Sequence, residues 1–379
     1  MMLFGNKNWW VLIIAITIYS NISGQDNTIP QFPEWMIKQR IETLNEQTPI
    51  ELNYNENVKA YIDVYTVKRR DHLANIISRS KLYFPLFEEY LAKYNLPLEL
   101  KYLAVIESAL DPKAKSSSGA MGLWQFLYHS GTMFDLKVTS YVDERCDPIL
   151  ATEAACKYLE YLYRNFNDWQ LALAAYNGGV GVVKKAIERS GGITNYWELR
   201  PYLPEQVKGY VPAFIAATYA IEYSKYYDTP NLEPNYVFSD LDTVYVHKKI
   251  SFDEIVSRTG IDLAELQQLN PMFTKNIIPN REKPTCLFLP KKYISRFIET
   301  GSNVELKKLK KEYPLPRTKK IIHTVVKGEY FHKIAIMHRC TIEDILHWNH
   351  LKSKDIHPGQ RLTIWVPPYN NHFSILKEV

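Results

Sequence analysis

Sliding residues 251–270 along the chain by 79 positions brings Phe252 onto Phe331, Ile255 onto Ile334, Leu266 onto Ile345 and Asn270 onto Asn349. Such a repeat constrains a chain more than local propensity does, because each copy must be a similar folding unit with its own small core. Helix signals travel with it: Asp262 with Glu265, and Thr341 with Asp344, each read as an N-cap residue followed three positions later by an acid. Each copy therefore predicts two short helices. Runs of strand character flank them, at 243–246 and 287–289 in the first copy and at 321–326 and 362–366 in the second. Between the copies, 293–320 predicts a basic linker: its stretch 301–320 has seven Lys and Arg against Glu305 and Glu312, with Pro314 and Pro316.

A chain of 379 residues with 46% apolar content can also bury a substantial core ahead of the repeats. Lys and Arg exceed Asp and Glu by 46 to 41, an excess that 301–320 alone accounts for, so nucleic acid is not expected as a partner. Lys7, an apolar run at 9–19 and small residues up to Gly24 follow the order of a secretory signal, taken as 1–24. The run is short for a membrane span, which needs ~20 residues. Export to the periplasm or cell envelope is expected, with membrane association only if that segment stays uncleaved. No cysteine precedes Cys146, so amino-terminal lipidation is not expected. Cys146, Cys156, Cys286 and Cys340 form no C-x-x-C pair and are read as unpaired, mostly buried thiols, with Cys146 and Cys156 the nearest option for a disulfide in an oxidising compartment. His347 and His350 have i+3 spacing but no accompanying carboxylate or thiolate pattern, so neither metal nor cofactor is predicted.

Residues 25–95 predict a helical extension, with stripes at Val58, Tyr61, Ile62 and Tyr65 and at Leu73, Ile76 and Ile77. Residues 96–230 predict a compact, mainly helical domain with glycine-bearing loops at 116–122 and 178–181. Its chemistry begins with a carboxylate in an apolar place. Pro97 can open a helix on which Leu96, Leu100, Leu103 and Glu107 share a face. Burial there disfavours the charged form and equips Glu107 as a general acid at neutral pH. A structural acid satisfied by hydrogen bonds would show the same spacing. The loop that follows carries Ser116, Gly119, Trp124 and Gln125. Glycine admits a ligand close to the backbone, Trp offers a flat apolar face, and Gln both donates and accepts, a combination suited to sugar rings. Tyr176 and Asn177 stand at the glycine-rich end of a later helix, presented to a ligand or part of a plain C-cap. Asp111 is i+4 to Glu107, but Pro112 disfavours helical geometry there. Asp143, Glu144 and Asp147 are read as solvated loop acids.

Four ordered segments make the pattern specific: Glu107-Ser108, Gly-x-x-Gly-Leu-Trp-Gln-Phe at 119–126, Ala-Tyr-Asn-Gly-Gly at 175–179, and Tyr-Val-Pro at 210–212. In these the chain resembles the Slt-type (family 1) lytic murein transglycosylases, among them the membrane-bound lytic murein transglycosylase D group. The resemblance implies a goose-lysozyme-like fold, no cofactor, and Glu107 as a single acid/base. Glu107 would protonate the β-1,4 bond between N-acetylmuramic acid and N-acetylglucosamine and then deprotonate the muramic C6 hydroxyl, closing a 1,6-anhydro ring. By the same carry-over, Ser108, Ser116, Gly119, Gln125, Tyr176, Asn177 and Tyr210 would bind substrate. The chain departs from the family at Leu127-Tyr128, where Met-Pro is usual, and at Gln206, where Glu is common; both bear on the sugar subsites.

The repeats resemble LysM modules. The second copy, 321–367, carries His323, Thr324 and Gly328 at its opening and Trp348, Asn349, Pro358 and Gly359 toward its close. The first, 240–292, is more divergent and lacks the turn glycine after its opening strand. The resemblance implies modules that bind the N-acetylglucosamine-containing polymer of peptidoglycan glycan strands. The expected architecture is multidomain, a mainly α lysozyme-like catalytic domain followed by two small βααβ modules. Two other functions stay open in the sequence: a hydrolase on the same fold, and a catalytically silent wall-binding protein.

Overall fold

The computed structural model describes residues 32–299, 304–306 and 319–366, less scattered positions within 327–354. The signal at 1–24 and most of the basic stretch lie outside the described residues. Up to residue 222 the ordered elements are helices: α1 (Glu34–Asn45), α2 (Glu56–Asp63), α3 (Arg70–Lys93), α4 (Leu103–Ser108), α5 (Tyr128–Met133), α6 (Pro148–Phe166), α7 (Trp169–Gly178), α8 (Val180–Arg189), α9 (Tyr196–Leu199), α10 (Glu205–Lys208) and α11 (Tyr210–Glu222), with short tighter turns between some of them. Asn55, Asp147 and Asp168 start α2, α6 and α7 by accepting from backbone N–H groups two or three positions on. Helix α11 is apolar on every side and buried along nearly its whole length. It is therefore the centre on which α2, α4 and α7 pack.

The stretch expected as an extension is not a separate layer. Ile37, Ile41, Val58 and Ile62 share one core with Leu103, Trp124, Leu173 and Phe214. No packing boundary falls at residue 95, because α2 covers a face of α11 that would otherwise be exposed hydrocarbon.

The first repeat follows as β1 (Leu241–Val246), β2 (Ile250–Ser251), α12 (Phe252–Thr259), α13 (Leu263–Leu269), β3 (Ile277–Ile278) and β4 (Thr285–Pro290). Ser251 and Asp262 cap its two helices. Two further elements join it: α14 (Lys291–Glu299) and β5 (Val304–Leu306). Strand β1 lies antiparallel between β4 and β5, with Val244 opposite both Leu287 and Leu306. The expected linker thus begins as part of the module, because Ile294 and Phe297 at i+3 spacing give α14 an apolar face that packs into the module core. The second repeat pairs β6 (Lys319–Thr324) with β7 (Arg361–Val366), antiparallel, with α15 (Ile342–Trp348) packed on β7.

Candidate active site

Leu98–Tyr102 form a 3-10 turn that leads into α4, so the helix expected from Pro97 is tighter in its first turn but still carries Leu100, Leu103 and Glu107 into the interior. After Ser108 the backbone turns left-handed at Ala109 and Leu110, with φ 51° and 59°. That turn takes Asp111 out of helical register. Its carboxylate accepts from Lys113 N at 2.9 Å and lines a different cleft, beside Arg79 and Glu233.

Glu107 is 6% exposed. Burial pushes its carboxyl up to about 7, opposed by a hydrogen bond that the Tyr210 hydroxyl donates to Oε1. Tyr210 sits on the first turn of α11, where Pro212 is tolerated because the leading N–H groups of a helix have no partner within it. The cavity beside Glu107 measures about 440 Å³. Ser116, Gln125, Tyr176 and Asn177 line it. Glu107 is the only carboxylic acid among its described lining residues.

Ser108, Gly119 and Tyr210 stand behind this wall and hold it. The Ser108 hydroxyl is within 3.0 Å of Ala104 O and 2.9 Å of Leu123 O, tying α4 to the glycine loop. Gly119 has φ 82° and offers its carbonyl to Arg145. Tyr210 reaches the site only through Glu107 Oε1. Trp124 is no sugar platform: its ring is fully buried against Phe87, and its indole N–H donates to Thr152 Oγ1 at 2.9 Å. Its flatness serves the core, and its carbonyl accepts from the Tyr176 hydroxyl at 2.8 Å.

Among the polar groups of the wall, the amides of Gln125 and Asn177 each keep an oxygen for a ligand. Gln125 Nε2 donates to Ala114 O at 3.0 Å and Gly122 O at 2.9 Å, which leaves the amide oxygen. Asn177 Oδ1 is buried in the wall without a hydrogen-bond partner. A buried acceptor so placed favours a ligand that brings an N–H.

Tyr158 and Phe126 also line the cavity. Tyr158 carried no sequence signal, since one more aromatic on a helix is indistinguishable from core. Gln206, marked as a departure, lines the cavity too and puts an amide there instead of a second acid. The reading of Asp143, Glu144 and Asp147 as solvated acids is overturned, because all three are buried. Asp143 grips Arg145, Glu144 pairs with Arg281, and Asp147 caps α6 with its carboxyl pushed up to about 6 by burial. None of them lines the cavity.

Three family descriptions match the chain: Transglycosylase SLT domain at 85–196, the LysM-like domain of lytic transglycosylase MltD at 240–305, and LysM domain at 323–365. Membrane-bound lytic murein transglycosylase D of Escherichia coli K12 is 29% identical over 82% of this chain and 69% of its own. The soluble lytic murein transglycosylase of the same strain is 31% identical over 35% of this chain and 22% of its own. A crystal structure of the 70 kDa soluble lytic transglycosylase from Escherichia coli matches 40% of this chain at 30% identity with a TM-score of 0.33. This chain spans 26% of that structure's length. The chain thus carries a transglycosylase SLT domain, a LysM-like domain and a LysM domain in that order, and over most of its length it is similar to a membrane-bound lytic murein transglycosylase.

Proposed function

We propose that this protein cleaves peptidoglycan glycan strands without consuming water, with Glu107 as its single acid/base. The observation that carries the reading is a buried, near-neutral-pKa carboxyl alone in a sugar-sized cleft. Hydrolysing glycosidases usually use two carboxyl groups, and among the described residues no second one lines this cavity. Protonated Glu107 gives its proton to the oxygen linking N-acetylmuramic acid to N-acetylglucosamine. The substrate's own N-acetyl group stabilises the positive charge left at the muramic C1. The resulting carboxylate then takes the proton of the muramic C6 hydroxyl as that oxygen bonds to C1, which closes the 1,6-anhydro ring and restores the acid. The Tyr210 hydrogen bond steadies the carboxylate half of this cycle and burial steadies the neutral half. Asn177 Oδ1, buried without a hydrogen-bond partner, would accept from an acetamido N–H.

The LysM domains would hold the wall near the cleft, and the chain would work in the cell envelope. A relative named as membrane-bound agrees with that location. No helix among the described residues is long and apolar enough to cross a membrane.

Mass spectrometry of the muropeptides released from isolated peptidoglycan tests the reading. Products one water lighter than the hydrolytic ones are expected. Reducing muramic ends would overturn the single-carboxylate mechanism, and binding without release would leave the chain a wall-binding protein.

A further inference from the structure

The first LysM-like module does not close its own core. Val142 and Cys146 of the catalytic domain pack into it with Val244, Phe252, Phe273 and Leu289. Antiparallel pairing crosses the junction: Val142 bridges Phe273, Asp143 N donates to Met272 O at 2.9 Å, and Thr274 N donates to Tyr141 O at 3.0 Å. Arg281 of the module pairs with Glu144, whose other oxygen accepts from Lys137 N at 2.8 Å.

The segment so held delivers Arg145. Its guanidinium forks onto Asp143, with Nε at 2.9 Å from Oδ1 and Nη2 at 2.7 Å from Oδ2. Its Nη1 donates to Gly119 O at 2.9 Å and Phe126 O at 3.2 Å, the two ends of the glycine loop. The Arg145 carbonyl in turn lies only 1.9 Å from where a Cβ on Gly122 would stand, so that loop can seat here only with glycine at 122. From this loop Gln125 and Phe126 enter the cleft.

We propose that the first module is a positioning element for cleavage. Through Met272 and Arg281 it fixes 142–145, and Arg145 acts as the positioning residue that sets the substrate loop opposite Glu107. The inference rests on the transglycosylase reading of the cleft. It separates from tethering in a definite way. A tether raises the local concentration of a polymer that spans both sites, but does nothing for a glycan too short to leave the cleft. A displaced loop weakens binding of even the shortest substrate, because Gln125 and Phe126 line the cleft that holds it.

The full chain carrying Arg281→Ala, and separately Arg281→Lys, is assayed on a soluble peptidoglycan tetrasaccharide. Arg281→Ala is expected to raise KM about tenfold with little change in kcat, and Arg281→Lys to recover part of the loss. The alkaline limb of the pH profile, which belongs to Glu107, stays in place. A purely structural role would remove active enzyme, lowering kcat with KM unchanged; that result, or wild-type kinetics in Arg281→Ala, overturns the proposal. Should Arg281→Ala not fold, Arg145→Lys keeps the charge, loses the fork and carries the same expectation. A wild type that leaves the tetrasaccharide intact overturns the reading of the cleft itself, and is told apart because no variant enters that comparison.

Discussion

Asn270 and Asn349 make the same joint in the two repeats. Asn270 Nδ2 donates to Leu266 O at 3.0 Å and Phe288 O at 2.9 Å, and its Oδ1 accepts from Phe288 N at 2.8 Å. Asn349 donates to Ile345 O and Thr363 O, both at 2.8 Å, and accepts from Thr363 N at 2.6 Å. Each pins the second helix of its module to the closing strand. Around that joint the modules part. The second fills its core with its own Val325, Phe331, Ile334, Ile345, Leu362 and Ile364. It meets α6 where the Tyr163 hydroxyl lies 2.9 Å from His347 Nδ1. The first adds α14 and β5 and takes in Val142 and Cys146 from the catalytic domain. One repeat pattern therefore gives a self-contained module in one place and a buttress in another, and the residues that flank it decide which.

Testing that contrast needs a cleft that binds without cleaving. Glu107→Gln supplies it by replacing a titrating acid with an amide of the same shape. Cleavage of both soluble tetrasaccharide and insoluble wall should fall by at least ~100-fold, while sedimentation with the wall is retained. The same variant shows what burying the acid costs. Glu107 titrates at about 7 in the fold against an ordinary value of 4.5, so between these values the folded chain holds a proton that the unfolded chain has lost. Stability from this group is present below pH 4.5 and declines as pH rises through 7. Calorimetry should find Glu107→Gln more stable than wild type above neutrality, with the advantage gone near pH 4.

The matched pair Asn270→Ala and Asn349→Ala sharpens the contrast directly. Each removes one side chain and leaves strand and helix backbone groups without their partner, at a cost of roughly 2–3 kcal/mol. Asn270→Ala should lower the main thermal transition, because its module shares a core with the catalytic domain. Asn349→Ala should lower only a transition of the second module. If both variants shift the same transition equally, the two modules are not held differently.

Much of this was legible in the sequence because it is written in local spacing. The repeat shift, the cap at Asp262, and Glu107 on an apolar face are all patterns within a few residues. The role of Trp124 was misread because a buried Trp and a sugar platform have the same residue type and the same glycine neighbours. Asp143, Glu144 and Asp147 were misread for a different reason. Asp143 and Asp147 find their partners locally, in Arg145 and the first amides of α6, but Glu144 pairs with Arg281, more than a hundred positions away, and no local pattern announces a carboxylate whose cation arrives from another domain. Gln206 was legible only as a departure, and it lines the cleft.

A smaller effect concerns the pH at which the cleft works. Since the acid must start protonated, activity should fall as pH rises through about 7. Tyr210 donates to Glu107 and thereby favours the carboxylate, so Tyr210→Phe should move that alkaline limb to higher pH. Changes in either module should leave the limb where it is, since neither places a charge beside Glu107.

The smallest effect falls on the contact of the second module. Burial, with His350 nearby, lowers the His347 pKa to about 4, so the ring is neutral when it meets Tyr163. A base held below its ordinary value of 6.5 stabilises the contact only while neutral, so the contact fades as pH falls from 6.5 toward 4. At neutral pH, His347→Ala should cost no more than about 1 kcal/mol in the transition of the second module. Tetrasaccharide kinetics should not change, because the core of that module contains no catalytic-domain residue. An increase in KM as large as that expected for Arg281→Ala would mean that both modules act through the cleft, and the contrast between them would reduce to a difference in packing alone.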